Sequence, residues 1–207
     1  MVKFRMFAVA FFSGSVSSLH CHVQSPRRRR AVRLGAALPM RPSPSLSADD
    51  VCSACTDGLQ QPDEPTLDAG YERLFYFMTY ACRKAVTARQ GAESLANFTK
   101  YAELSPAVQP FVRAASMRRS EATIIAGTVH RGEMATVAVD VAIDAGFRHP
   151  SGFERQGDSN DGPEILRFGV RLQKERRPPL QGCWLITEIL DARYASAGDM
   201  GNDSIAN

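Results

Sequence analysis

Apolar residues recur along this chain with two different periods, and the change near residue 121 divides it into a helical half and a stranded half. Ser47 followed three residues later by Asp50 is a capping-box pattern. Asp49 and Asp50 stand where a helix dipole favours anions, so a first helix is predicted from Ala48 to about Gln61. Pro62 and Pro65 bracket an acidic turn. Leu67, Tyr71, Leu74, Phe75, Met78 and Cys82 then fall at helical spacing and predict one continuous second helix with a broad apolar face. Leu95, Phe98, Tyr101 and Ala102 predict a third, stopping near Ser105 and Pro106. Beyond Glu121 the period falls to two. Val137, Val139, Val141 and Ile143 alternate with small or acidic residues, and Leu166, Phe168, Val170 and Leu172 alternate with Arg167, Gly169 and Arg171. Shorter runs at Thr123–His130 and Gly182–Leu190 bring the expected sheet to about four strands. Helices followed by a meander predict an α+β layer packing, an antiparallel sheet with helices on one face. The run from Gly146 to Gly162 is expected to be an inserted loop, and residues 195–207 a polar, disordered tail.

Charge changes the picture at the N-terminus. The first acidic residue is Asp49, and eight of the 25 Lys and Arg residues precede it, so the remainder carries 17 cations against 22 carboxylates, a net −5. The overall basic balance therefore does not describe the domain, and a nucleic-acid partner is not expected. Lys3 and Arg5 flank the apolar stretch Met6–Phe12, which is followed by small residues. From His20 to Ser47 the chain is rich in Arg, Ser, Ala and Pro. That pattern is similar to a signal-like core followed by a transit-like segment. It predicts a cleavable leader over residues 1–48, delivery to a plastid, with a mitochondrion the alternative and secretion less favoured, and a mature N-terminus between Ala36 and Ala48. No stretch reaches the roughly 20 apolar residues of a membrane span, so the domain over residues 49–194 is expected to be soluble.

Two stretches resemble a domain family of unknown function from chloroplast and bacterial proteins, related to the nuclear transport factor 2 and cystatin-like superfamily. The first is Asp63, Pro65, Asp68 and Gly70, read with Val51, Leu59 and Phe77. The second is Gly182, Cys183 and Trp184, read with Gln173, Thr187 and Leu190. Between them Arg83, Gly91 and Phe98 also correspond, whereas Cys55 departs from the pattern. The resemblance implies a cystatin-like curved sheet wrapped around a long helix, and it brings no catalytic residue with it.

The chemistry-bearing residues have plain structural readings. Cys52 and Cys55 form Cys-x-x-Cys, but at i, i+3 inside a predicted helix with no preceding strand, a spacing that puts two small apolar thiols on a core face. A zinc site would need two more ligands, and Cys82, Cys183, His130 and His149 show no paired spacing, so no metal is expected. Asp63, Pro65, Asp68 and Gly70 could ligate a cation, but they also suit a helix-to-helix turn in which Asp68 caps the second helix. The aromatic run Tyr71, Phe75, Tyr76, Phe77 and Tyr80 reads as core at helical spacing. No phosphate-loop, nucleophile-elbow or zinc-protease pattern occurs, and no cofactor is expected. Strand parity places Asp140 and Asp144 with Arg167 and Arg171 on the outer face, away from any pocket between sheet and helices.

These readings favour a non-catalytic organellar binding or scaffold domain. It would hold a small apolar ligand in a cone-shaped pocket or a protein on its outer sheet face, and a homodimer through that face is compatible with both. The alternative is a small isomerase or dehydratase using the pocket.

Overall fold

The computed structural model describes residues 38–128, 131–143 and 164–192, and the fold is α+β with a five-stranded antiparallel open sheet. Five helices come first: α1 (Ala48–Gln60), α2 (Ala69–Phe77), α3 (Tyr80–Val86), α4 (Leu95–Ala102) and α5 (Gln109–Val112). The strands follow: β1 (Ala114–Arg119), β2 (Thr123–Ile125), β3 (Met134–Ile143), β4 (Glu164–Lys174) and β5 (Trp184–Asp191). The order across the sheet is β1-β3-β4-β5, with β2 pairing β3 beyond the end of β1.

α1 begins as its sequence dictates. The Ser47 side chain accepts from the Asp50 backbone N–H at 3.1 Å, and the Asp50 carboxylate accepts from the Ser47 N–H at 2.9 Å. Val51, Cys52, Cys55 and Leu59 form its buried stripe. The stripe meets the inner sheet face, where Val137, Val139, Val141 and Ile143 of β3 and Leu166, Phe168, Val170 and Leu172 of β4 alternate inward and are all 3% exposed or less. Phe111 of α5 lies 4.9 Å, centroid to centroid, from Phe168, and Phe98 of α4 lies 5.4 Å from Phe75 of α2. Each such ring contributes about 1.5–3 kcal/mol by burial.

Four expectations are corrected. The second helix is two helices: Met78 is extended and forms a parallel bridge with Ile186, and the Thr79 N–H donates to the Ile186 carbonyl at 2.9 Å. Thr79 then caps α3, its side chain accepting from the Cys82 N–H. Leu67 is 79% exposed instead of core, because it precedes α2 in the turn. The sheet gains a strand, β1, whose sequence Ala-Ala-Ser-Met-Arg-Arg lacks apolar alternation. Lastly, packing starts ahead of Asp49: Leu46 packs on the core, the Pro39 carbonyl accepts from Arg73 and Arg41 pairs with Glu72. The expected insertion from Gly146 to Gly162 and the tail from 195 lie outside the described residues, as do residues 1–37.

α1 and α2 cross closely at Gly70, where a Cβ would run into the Gly58 carbonyl oxygen and come within 2.8 Å of the Pro62 Cα. Gly169 in β4, by contrast, has nothing within 4 Å of its Cβ direction. Gly70→Ala should therefore destabilise by roughly 1–3 kcal/mol through overpacking. Gly169→Ala should be neutral or stabilising by up to about 1 kcal/mol, since Ala is favoured over Gly inside a strand. Urea midpoints of the two variants check the contrast.

Candidate functional site: the outer sheet face

The helices cover one face of the sheet, and the pairing register organises the other into crosswise rows. One row is Arg118, Asp140 and Arg167, directly opposite one another on β1, β3 and β4. Asp140 and Arg167 form a two-point pair: Arg167 Nε donates to Oδ1 at 2.6 Å and Nη2 to Oδ2 at 3.1 Å. The Arg167 guanidinium, helped by Arg118, holds the Asp140 carboxyl below its ordinary value. A second charged row joins Thr136, Arg171 and Glu188, with Arg171 Nη1 donating to Glu188 Oε2 at 2.8 Å. Between these rows lie Ala138, Gly169 and Leu190, and beyond the first lie Ser116, Ala142 and the 66% exposed Ile165. Small or apolar rows thus alternate with paired charges. Asp140 stands outside with Arg167 as parity requires, while Asp144 lies outside the described residues.

The edges flanking this face are partly covered. On one side α1 holds the edge strand with a polar stripe spaced for one helix face. The Asp49 carboxylate accepts from the Ala122 N–H at 2.9 Å, Asp57 pairs with Arg119 at 2.8 Å, and the Gln60 amide donates to the Ala114 carbonyl at 3.3 Å. On the other side, β5 is capped by the Met78–Thr79 junction. A separate, open concavity of about 290 Å³ lies at the turn end of the sheet. It is lined by Thr128, Arg131, Glu133, Lys174, Glu175 and Arg176, and Lys174 is paired with Glu133 at 3.0 Å.

Asp63, Pro65, Asp68, Gly70, Gly182 and Trp184 sit in turns or in packed positions. Asp68 precedes α2 in the left-handed region, φ 60°, and its side chain makes no cap hydrogen bond, which corrects the expected cap. Its backbone N–H donates instead to Asp63 Oδ1 at 3.3 Å. Pro65 follows a cis peptide in the same turn, and the Gly70 N–H donates to the Pro62 carbonyl at 2.8 Å. Gly182, at φ +83°, closes the β4–β5 hairpin by donating to the Glu175 carbonyl, and Trp184 is buried with Lys174 5.6 Å from its ring. None of the six belongs to the charged rows. Among the described residues no three His, Cys, Asp or Glu side chains are grouped to hold a metal. His130 and His149 lie outside them.

The described thiols are free and buried. Burial pushes Cys52 and Cys82 up to about 12, raises Cys55 well above the ordinary thiol range and raises Cys183 as well. Tyr71 is likewise pushed up to about 12 by burial. The aromatic run is mostly core, as spacing indicated, although Tyr80 is 46% exposed and its hydroxyl donates to Glu93.

Compared with known proteins, the chain matches no family model, no curated protein and no solved structure.

Two outcomes follow from these positions. Asp68→Gly should hold or raise stability, because glycine populates the left-handed region without the Cβ penalty. Asp68→Ala should cost roughly 1 kcal/mol, and Asp68→Ser should fall with it. Denaturation midpoints that ranked Ser with Asp and above Gly would restore the cap. Iodoacetamide at pH 8 should leave Cys52, Cys55, Cys82 and Cys183 unmodified in the folded chain and label all four in urea, since raised values keep the thiols protonated and burial blocks access. Peptide mass mapping reads both states.

Proposed function

We propose that this chain carries a cystatin-like, non-catalytic binding or scaffold domain, delivered to a plastid by an acid-free leader, that engages a protein partner through its outer sheet face. A mitochondrion is the alternative destination, since an Arg-rich, acid-free segment serves either address. One observation carries the reading. The inward positions of β3 and β4 are all apolar, whereas the outward ones form an open surface of small residues interleaved with charges that already satisfy one another.

The chemistry supports binding over turnover. A general acid or base works best with a value near the operating pH and within hydrogen-bond reach of the substrate. Asp140 is shifted the other way and faces solvent. Its folded value is depressed, so the pair's contribution to stability is present above the unfolded carboxylate value near 3.8 and is lost as the pH falls through the lower folded value. The isomerase or dehydratase reading needs a carboxylate or histidine inside an enclosed space.

Gly169→Arg tests the face, because it adds bulk and charge where the backbone leaves open space without touching the core. Native mass spectrometry of the tagged chain, isolated from its own cells, should show an assembly with a protein partner or a second copy. Gly169→Arg should return it to a monomer with an unchanged melting temperature. A wild-type chain that is monomeric and holds a small molecule retained by Gly169→Arg would move the function to a pocket. A bare monomer would refute the reading.

An NMR titration gives a second check: the Asp140 carboxyl should titrate below 3.8, and Arg167→Gln should move it back upward.

A further inference from the structure

Among the described residues the buried cation is Arg73 in α2, only 1% exposed. Glu72 beside it is committed to Arg41 at 3.2 Å, and no carboxylate among the described residues pairs with Arg73. Its hydrogen bonds go to the segment ahead of α1. Nε donates to the Pro39 carbonyl at 3.0 Å and Nη2 to the Met40 sulfur at 3.1 Å, so two neutral acceptors occupy the edge of the guanidinium that a carboxylate would take in a fork. Nη1 has no partner and lies against Gly58, where a Cβ would collide with it.

The same segment is fastened along its length. The Arg41 guanidinium sits 3.1 Å from the centroid of the Tyr76 ring, Pro44 comes against Gly182, Leu46 packs on the core and Ser47 caps α1. Leu38–Ser47 thus bridges α2, the β4–β5 hairpin and α1. A buried charge is costly unless its donors are satisfied, and here the strap supplies the acceptors. A cut after Met40 would also leave a new α-ammonium, charged near neutrality, at Arg41, close to that guanidinium.

We infer that Leu38–Ser47 is an integral strap sealing Arg73, and that proteolytic maturation cuts before Leu38, leaving the strap on the domain. The maturation step rests on the leader reading; the sealing role does not.

The purified full chain is digested with a broad-specificity protease and its fragments are mapped by intact mass. The resistant fragment should begin no later than Leu38. Arg41→Ala and Glu72→Ala should each speed cleavage within residues 38–47 at least threefold, whereas Asp140→Ala, on the outer sheet face, should not. Protein nicked inside the strap should melt lower than intact protein, and in Arg73→Met the nick should lower the melting temperature far less. A resistant fragment starting near Ala48, or a strap nick that leaves the wild-type melting temperature unchanged, would overturn the sealing role. N-terminal sequencing of the native protein tests the cut. A start beyond Met1 and no later than Leu38 agrees with it, and a start between Pro39 and Ala48 overturns it. An intact Met1 sinks the leader reading and the cut with it, with the digestion still deciding the strap.

Discussion

The fold depends on α1 serving two surfaces at once. Its apolar stripe, Val51, Cys52, Cys55 and Leu59, is buried against the inner sheet face, and its polar stripe, Asp49, Thr56, Asp57 and Gln60, grips the strand at the sheet's edge. The first supplies non-directional burial and the second supplies register. β1 has little apolar content to bury, so it is held in place by what α1 donates and accepts: Arg119 Nη1 reaches both Thr56 Oγ1 at 2.7 Å and Asp57 Oδ1 at 2.8 Å. Loss of α1 would remove the core's partner surface and leave the edge strand only its ladder to β3.

Closing the edges matters because unpaired strand edges invite pairing with other chains. Here the Ala122 N–H and the Ala114 carbonyl are engaged by α1, Ser120 accepts from the Ala138 N–H with its hydroxyl in a bulge between β1 and β2, and the far edge of β5 is met by Met78 and Thr79. Strand addition is thereby disfavoured at those points, and the face is open for a partner.

Local signals were legible in the sequence and non-local ones were not. α1 was placed within a residue of its end because Ser47, Asp50 and the stripe are all contained in the helix itself. β3 and β4 were legible from alternation over seven residues each, Val137–Ile143 and Leu166–Leu172. The break after Phe77 was hidden because Leu74, Met78 and Cys82 keep helical spacing across it, and the pairing that ends the helix comes from Ile186, over a hundred residues away. Thr79, three residues before Cys82, was the available local cap signal. β1 was invisible for the same reason, its partner and its clamps all being distant. Asp68 was misread because a residue before a helix can cap it only in extended backbone, and φ is not written in the sequence. At the candidate site, parity assigned Asp140 and Arg167 to the outer face. The rows needed the register, which is set by irregularities at Ala114/Ser116 and Arg171/Leu172 that no alternation pattern marks.

The rows bear on how the face would bind. Because Asp140 and Glu188 are already paired with arginines on the neighbouring strand, a partner covering them would desolvate near-neutral pairs and not isolated charges, so they would orient more than they attract. Close approach falls to the Ala138–Gly169 row, where no side chain holds the partner away from the backbone. Four strand widths at about 4.8 Å and ten residues at about 3.4 Å span roughly 650 Å² in projection, a little under the roughly 800 Å² that each side of a stable interface contributes. A stable partner would therefore have to reach past the strands to their rim. The exposed apolar residues there, Ile165 at the start of β4 and Ile125 in β2, stand at opposite ends of the β3–β4 ladder, so a bound partner would lie along the strands rather than across them.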